Sequence, residues 1–145
     1  MAKTVEIYTD GACSGNPGKG GWCAILLYGG NEKVLAGGDP DTTNNRMEVY
    51  AAIAGLAALK ERCVVKLYSD SAYLVNAIEQ GWLDGWRRNG WKTSGKQAVK
   101  NKDLWERLTE LLRAHAVTFV KVKGHADNVY NNRCDEYARA EIGKL

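Results

Sequence analysis

Two short stretches of the chain end in nearly the same words. Tyr8-Thr9-Asp10-Gly11-Ala12 closes a segment in which Val5, Ile7 and Thr9 alternate with Glu6 and Tyr8. Tyr68-Ser69-Asp70-Ser71-Ala72 closes an apolar-rich run that begins at Val64. Both segments read as strands, half-buried in the first case and fully buried in the second. Between them, Arg46 to Lys60 is rich in alanine and sets Tyr50, Ile53, Leu56, Ala57 and Leu59 at helical spacing. A strand, a crossover helix and a second strand of the same sheet run parallel. Parallel neighbours would deliver Asp10 and Asp70 to one edge of the sheet, where open α/β sheets collect their ligands. Two like charges brought together repel, so a bound divalent cation is the natural compensation.

The rest of the chain fits around this pair. The first strand is expected over Lys3 to Asp10, and Gly11 to Gly21, with five glycines and Pro17, reads as a turn. Trp22 to Tyr28 and a segment near Lys33 to Ala36 read as a hairpin joined at Gly29-Gly30-Asn31. Asp39-Pro40-Asp41-Thr42-Thr43-Asn44 is expected to break the sheet and to offer helix N-caps. Further helices are expected over Ser71 to Glu79, Asp103 to Ala114 and Asn132 to Ile142, with a last strand over Val117 to Val122. Trp105 reads as core, and His115, ending a helix, reads as a partner of the helix dipole. The order predicts an α/β fold: a mixed five-stranded sheet, three strands antiparallel and two parallel, with helices on both faces.

A chain of 145 residues is the size of a single domain and needs no disulfide to hold a core. Its four cysteines form no Cys-x-x-Cys pair, so plain thiols are expected. No apolar run is long enough for a membrane helix and no signal peptide opens the chain, so a cytoplasmic address is expected. Net charge is only +3, but it is unevenly placed. From Gly81 to Lys102 six basic residues face a single acid, and Trp82, Trp86 and Trp91 lie among them. Interleaved cations and aromatics suit a nucleic-acid backbone, whereas tryptophans that only anchor the lobe would look the same in sequence.

Two further acids open helices: Glu48 follows Met47 early in the alanine-rich segment, and Asp135 lies early in the last helix. Oxygen-only ligands suit Mg²⁺ or Mn²⁺ rather than zinc. Two such ions roughly 4 Å apart activate water and steady a leaving oxygen in phosphodiester cleavage. Each acid also has an ordinary explanation alone, as a turn former or as a favourable charge at a helix start. Periodicity does not show that the four converge.

The wording around these residues resembles a known family. Tyr8-Thr9-Asp10-Gly11-Ala12-Cys13-Ser14-Gly15-Asn16-Pro17-Gly18 is similar to the opening motif of ribonuclease H type 1. Thr42-Thr43-Asn44-Asn45-Arg46-Met47-Glu48, Tyr68-Ser69-Asp70-Ser71, Val122-Lys123-Gly124-His125-Ala126 and Asn132-Arg133-Cys134-Asp135-Glu136 resemble its other motifs, in order. The resemblance spans essentially the whole chain. It implies an endonuclease that hydrolyses the RNA strand of RNA–DNA hybrids and leaves 5′-phosphate and 3′-hydroxyl ends. It implies that Asp10, Glu48, Asp70 and Asp135 hold two Mg²⁺ ions, with Mn²⁺ able to substitute. His125 is implied to assist proton movement and product departure, and Glu48 to contact a ribose 2′-hydroxyl. Gly11, Asn16, Asn44, Asn45, Trp82 and Trp86 are implied substrate contacts, and Thr43 with Asn101 resembles a pocket for a DNA-strand phosphate. Residues 81–102 resemble the basic protrusion of compact bacterial members, which act as monomers. Ala72 and Asp41 depart from the pattern, standing where a glutamine and an arginine are often found. A non-catalytic hybrid binder, or a resolvase or integrase core of the wider fold, would also carry acids at this sheet edge. The first would lack an acid, and the others lack the Thr42 to Glu48 wording.

Overall fold

The computed structural model describes residues 3–92, 97–123 and 128–145. Strand β1 (Lys3–Gly15) is followed by β2 (Gly18–Tyr28) and β3 (Asn31–Thr42), and then by helix α1 (Asn44–Ala57). Strand β4 (Cys63–Ser69) leads to α2 (Ala72–Glu79), α3 (Trp82–Arg88) and α4 (Lys102–Ala114), and β5 (Ala116–Lys121) and α5 (Val129–Gly143) complete the fold. The sheet order is β3-β2-β1-β4-β5. β1 pairs antiparallel with β2, and β2 with β3, whereas β4 runs parallel to both β1 and β5. The expected mixed topology is present.

Two expectations fail along the first hairpin. Gly11 to Gly21 is not a turn: β1 continues to Gly15, β2 starts at Gly18, and their pairing is unbroken from Glu6↔Leu27 to Gly15↔Gly18. Gly11 and Gly21 are there because helices press on the strands. A Cβ at Gly21 would run into the carbonyl of Ala138 on α5, and one at Gly11 would strike the backbone of α1. Glycine within a strand marks this kind of close approach. Asp39-Pro40 does not break the sheet either, since β3 runs on to Thr42. β3 is an edge strand with a register shift opposite Gly18 and Gly20, and an edge tolerates a residue without an N–H.

Caps set the helix starts, some residues earlier than the apolar spacing alone indicates. Thr43 accepts the amide of Arg46 at 3.2 Å and starts α1, and Ser71 accepts that of Leu74 at 3.1 Å and starts α2. Asn128 accepts from Asn131 at 2.9 Å, so α5 begins three residues before Asn132.

The main core lies between the sheet and α1, α2 and α4. Val5, Ile7, Val65 and Leu67 meet Val49, Ile53 and Leu56, with Leu74, Leu104, Trp105 and Leu108 behind them. α1 is buried on most of its surface because α4 packs against the side that the sheet leaves free. On the other face of the sheet, α5 covers β1, β2 and β3 and buries Cys134 and Ala138 against Cys23 and Ile25. All four cysteines are free thiols.

His115 is not the charged dipole partner its position suggests. Its Nδ1 accepts the Cys63 amide at 3.0 Å, which an imidazolium could not do. Burial, and then the nearby Arg62, hold its pKa below the ordinary histidine value. In the basic lobe, Trp86 packs on Trp105 with ring centroids 5.6 Å apart, and Trp91 is half-buried against the same core. Trp82 is the exposed member, with 39% of its surface accessible.

Candidate active site

Asp10 sits in the middle of β1, opposite Cys23 of β2, and its side chain lies on the face away from Ile7 and Thr9. Asp70 follows directly on β4, the parallel neighbour of β1. Glu48 arrives from α1, because that helix lies against the bare backbone of Gly11. The Asp10, Glu48 and Asp70 carboxylates each offer an oxygen, and these oxygens all lie within 4.8 Å of one another. Asp135, on α5, lines the same cleft. Its carboxylate is turned to Arg139 one helical turn on, in a 2.6 Å ion pair, so it stands beside the three-acid cluster rather than within it.

The cluster is electrostatically costly. Asp10 is 4% exposed and Glu48 is 5% exposed. Burial pushes the Asp10 carboxyl up to about 7, and the charges of Asp70 and Asp135 add to the shift. Burial raises the Glu48 carboxyl well above its usual range too, with Asp10 and then Asp70 contributing. The contact between the two side chains works against the rise at Asp10 and adds to it at Glu48. Asp10 also accepts the Gly11 amide at 2.9 Å. The other Glu48 oxygen, Oε1, is buried with no hydrogen-bond partner. An unpaired buried carboxylate oxygen beside two further acids is expensive for a folded protein. An all-oxygen donor set of this kind fits a hard divalent cation.

Around the acids, Asn44 and Asn45 line the cleft together with Gly11. Asn16 accepts the Asn44 amide at 3.1 Å and ties the β1–β2 turn to the start of α1. The Thr43 side chain caps α1. Asn101 lies close by, joined to Arg46 at 3.2 Å and to the Tyr73 hydroxyl at 3.0 Å. Trp82 and Trp86 lie away from the acids, on α3, and neither lines this cleft. His125 lies outside the described residues.

Sequence reasoning missed Tyr73, Arg46 and Asn131. Tyr73 and Asn131 line the cleft, and Arg46 forks onto Asp103 at 2.8 and 3.0 Å, fastening the start of α1 to the start of α4. Tyr73 stands three residues after Asp70 on a helix start, a spacing that could have flagged it.

Comparison with known proteins agrees with this geometry. The family model described as RNase H matches residues 2–143. Ribonuclease H of Chlorobaculum parvum is 66% identical over 142 residues, covering 98% of this chain and 97% of its own length. Ribonuclease H of Moorella thermoacetica is 63% identical, covering 99% of this chain and 94% of its own length. Among solved structures, LC9-RNase H1, a type 1 RNase H with the type 2 active-site motif, superposes with a TM-score of 0.88 at 29% identity, over 99% of this chain and 74% of that one. LC11-RNase H1, solved in complex with an RNA/DNA hybrid, shares the fold with a TM-score of 0.69 at 24% identity, over 97% of each chain. The chain belongs to the ribonuclease H family.

Proposed function

We propose that this protein is an endonuclease that hydrolyses the RNA strand of RNA–DNA hybrids. The observation that carries the reading is the convergence of Asp10, Glu48 and Asp70 with an unpartnered oxygen on Glu48. Family membership supports the reaction class, and the hybrid bound by LC11-RNase H1 supports the substrate.

Asp10, Glu48 and Asp70 would hold two divalent ions, Mg²⁺ with Mn²⁺ able to substitute, and Asp135 would join them as a fourth ligand on release from Arg139. When bound, the ions supply an activated water and neutralise charge on the phosphate and the leaving oxygen. The water oxygen attacks phosphorus and the bond from phosphorus to O3′ breaks, leaving a 3′-hydroxyl and a 5′-phosphate. His125 assists proton movement as product departs. Glu48, beside the cut strand, reads a ribose 2′-hydroxyl that DNA lacks. Asn16, Asn44 and Asn45 contact the hybrid next to Gly11, where the bare backbone admits it closely. Thr43 and Asn101 grip a DNA-strand phosphate. The basic lobe, residues 81–102, lies along the DNA backbone with Trp82 and part of Trp86 against it, and the protein acts as a cytoplasmic monomer. No helix among the described residues is long and apolar enough to cross a membrane.

The test is a panel of end-labelled RNA–DNA hybrid, double-stranded DNA, double-stranded RNA and single-stranded RNA, each with Mg²⁺ and with EDTA. Cleavage of the hybrid RNA alone, stopped by EDTA, is expected. Equal cutting of the DNA duplex would contradict the reading.

A further inference from the structure

Asn101 occupies the N-cap position of α4 yet does not cap it. It adopts a left-handed backbone with φ 63° and ψ 27°, and its side chain makes no cap hydrogen bond. An asparagine at this position ordinarily accepts an amide of the first helical turn. Here the amide group is turned outward instead and held at both ends. Oδ1 accepts from Arg46 Nη1 at 3.2 Å, and Nδ2 donates to the Tyr73 hydroxyl at 3.0 Å. The same hydroxyl accepts from Trp105 Nε1 at 3.1 Å.

The polarity of this chain of bonds follows from its two ends. A guanidinium and an indole N–H donate and never accept. Arg46 therefore requires the oxygen of the Asn101 amide to face it, which turns the NH₂ group to Tyr73. Tyr73 must then accept from Asn101 and from Trp105, and both lone pairs of its oxygen are engaged. Its own proton is left over, and so is the second N–H of Asn101. The half-buried Tyr73 lines the cleft. The protons left over, on the Tyr73 hydroxyl and the Asn101 amide, are donors, and donors suit a phosphate oxygen, which only accepts.

We propose that Tyr73 is a positioning residue for substrate: its hydroxyl, fixed as an acceptor by Trp105, locks Asn101 with its amide N–H outward. This deepens the hybrid-cleaving function proposed above and rests on it. Arg46 completes the lock from α1, where the Asp103 carboxylate holds its guanidinium in place. The arrangement couples α1, α2 and α4 through one amide.

The experiment compares steady-state cleavage of a hybrid by the intact protein, Tyr73→Phe, Asn101→Ala and the double variant. Phenylalanine keeps the ring that packs on Trp105 with centroids 5.4 Å apart and removes only the hydroxyl. The expected result is a rise in KM of roughly fivefold for Tyr73→Phe, the worth of one hydrogen bond, with kcat within about twofold. In the Asn101→Ala background the same substitution is expected to leave KM where it was, because the group it positions is gone. An additive KM effect in the double variant, an unchanged KM, or a loss confined to kcat would overturn the proposal. Thermal unfolding of each variant separates this from a purely structural role, which lowers the midpoint equally in both backgrounds and leaves KM alone. If Tyr73→Phe is unfolded at the assay temperature, the same comparison is made at a lower temperature at which all four proteins are folded. A failure of the intact protein to cut the hybrid would count against the proposed function, whereas a failure of the pattern among active variants counts against Tyr73.

Discussion

Asp10→Asn is expected to lower kcat at least roughly a thousandfold while raising the thermal midpoint of the metal-free protein. The catalytic loss follows from removing one acid of the three, and single groups that stabilise a charged transition state are worth factors of this size. The gain in stability follows from the same crowding. The folded-state pKa of Asp10, about 7, lies above the 3.8 of an ordinary aspartate. Between those values the folded state binds more protons than the unfolded chain, so stability falls as pH rises through the window. The penalty is fully present above about pH 7 and absent near pH 4. An asparagine carries no such penalty. The variant should match the parent in acid and exceed it at pH 8 by roughly 1–3 kcal/mol, a figure reduced because Asp10 and Glu48 titrate as a pair. Urea unfolding at pH 4.5, 6 and 8 measures the difference. A variant that loses stability at pH 8, or keeps near-normal turnover, would remove Asp10 from the role assigned to it.

Gly11→Ala should be nearly as damaging without touching an acid. A Cβ on Gly11 would lie 2.5 Å from the Glu48 amide nitrogen and 2.6 Å from the Met47 carbonyl carbon. Both neighbours are backbone atoms of a helix wedged between the sheet and α4, so neither can swing aside. α1 must move, and Glu48 moves with it. A displacement of about 1 Å at a reacting group costs on the order of a hundredfold in rate, and overpacking of this kind costs roughly 1–3 kcal/mol in stability. Hybrid cleavage and thermal unfolding of the purified variant read both effects. Activity within twofold of the parent would mean that the Gly11 contact does not set the position of Glu48.

Most of this centre could be read from sequence, for a physical reason. The Asp10 and Asp70 words are similar because parallel strands β1 and β4 meet the cleft in similar surroundings, and a local pattern records that. The early part of α1 was legible from helical spacing and the Thr43 cap. What failed depended on contacts between distant residues. Gly11 and Gly21 look like parts of a turn until α1 and α5 are known to press on them. Pro40 looks like a strand breaker until β3 is known to be an edge. Asp135 lines the cleft beside the other acids, but its ion pair with Arg139, an (i, i+4) relation, is a matter of side-chain direction that sequence does not record. The lock on Asn101 joins residues 46, 73, 101 and 105, and no local pattern announces it.

The central claim is that Asp10, Glu48 and Asp70 form a site strained by its own charge and relieved by a divalent cation. The most direct measurement is the thermal midpoint of the parent and of Asp10→Asn at pH 8 against MgCl₂ concentration, at constant ionic strength. A cation that binds the folded state alone raises the midpoint as its concentration passes the dissociation constant. The parent is expected to start lower and climb with Mg²⁺, while Asp10→Asn starts higher and stays nearly flat. Equal climbs for the two proteins would contradict it.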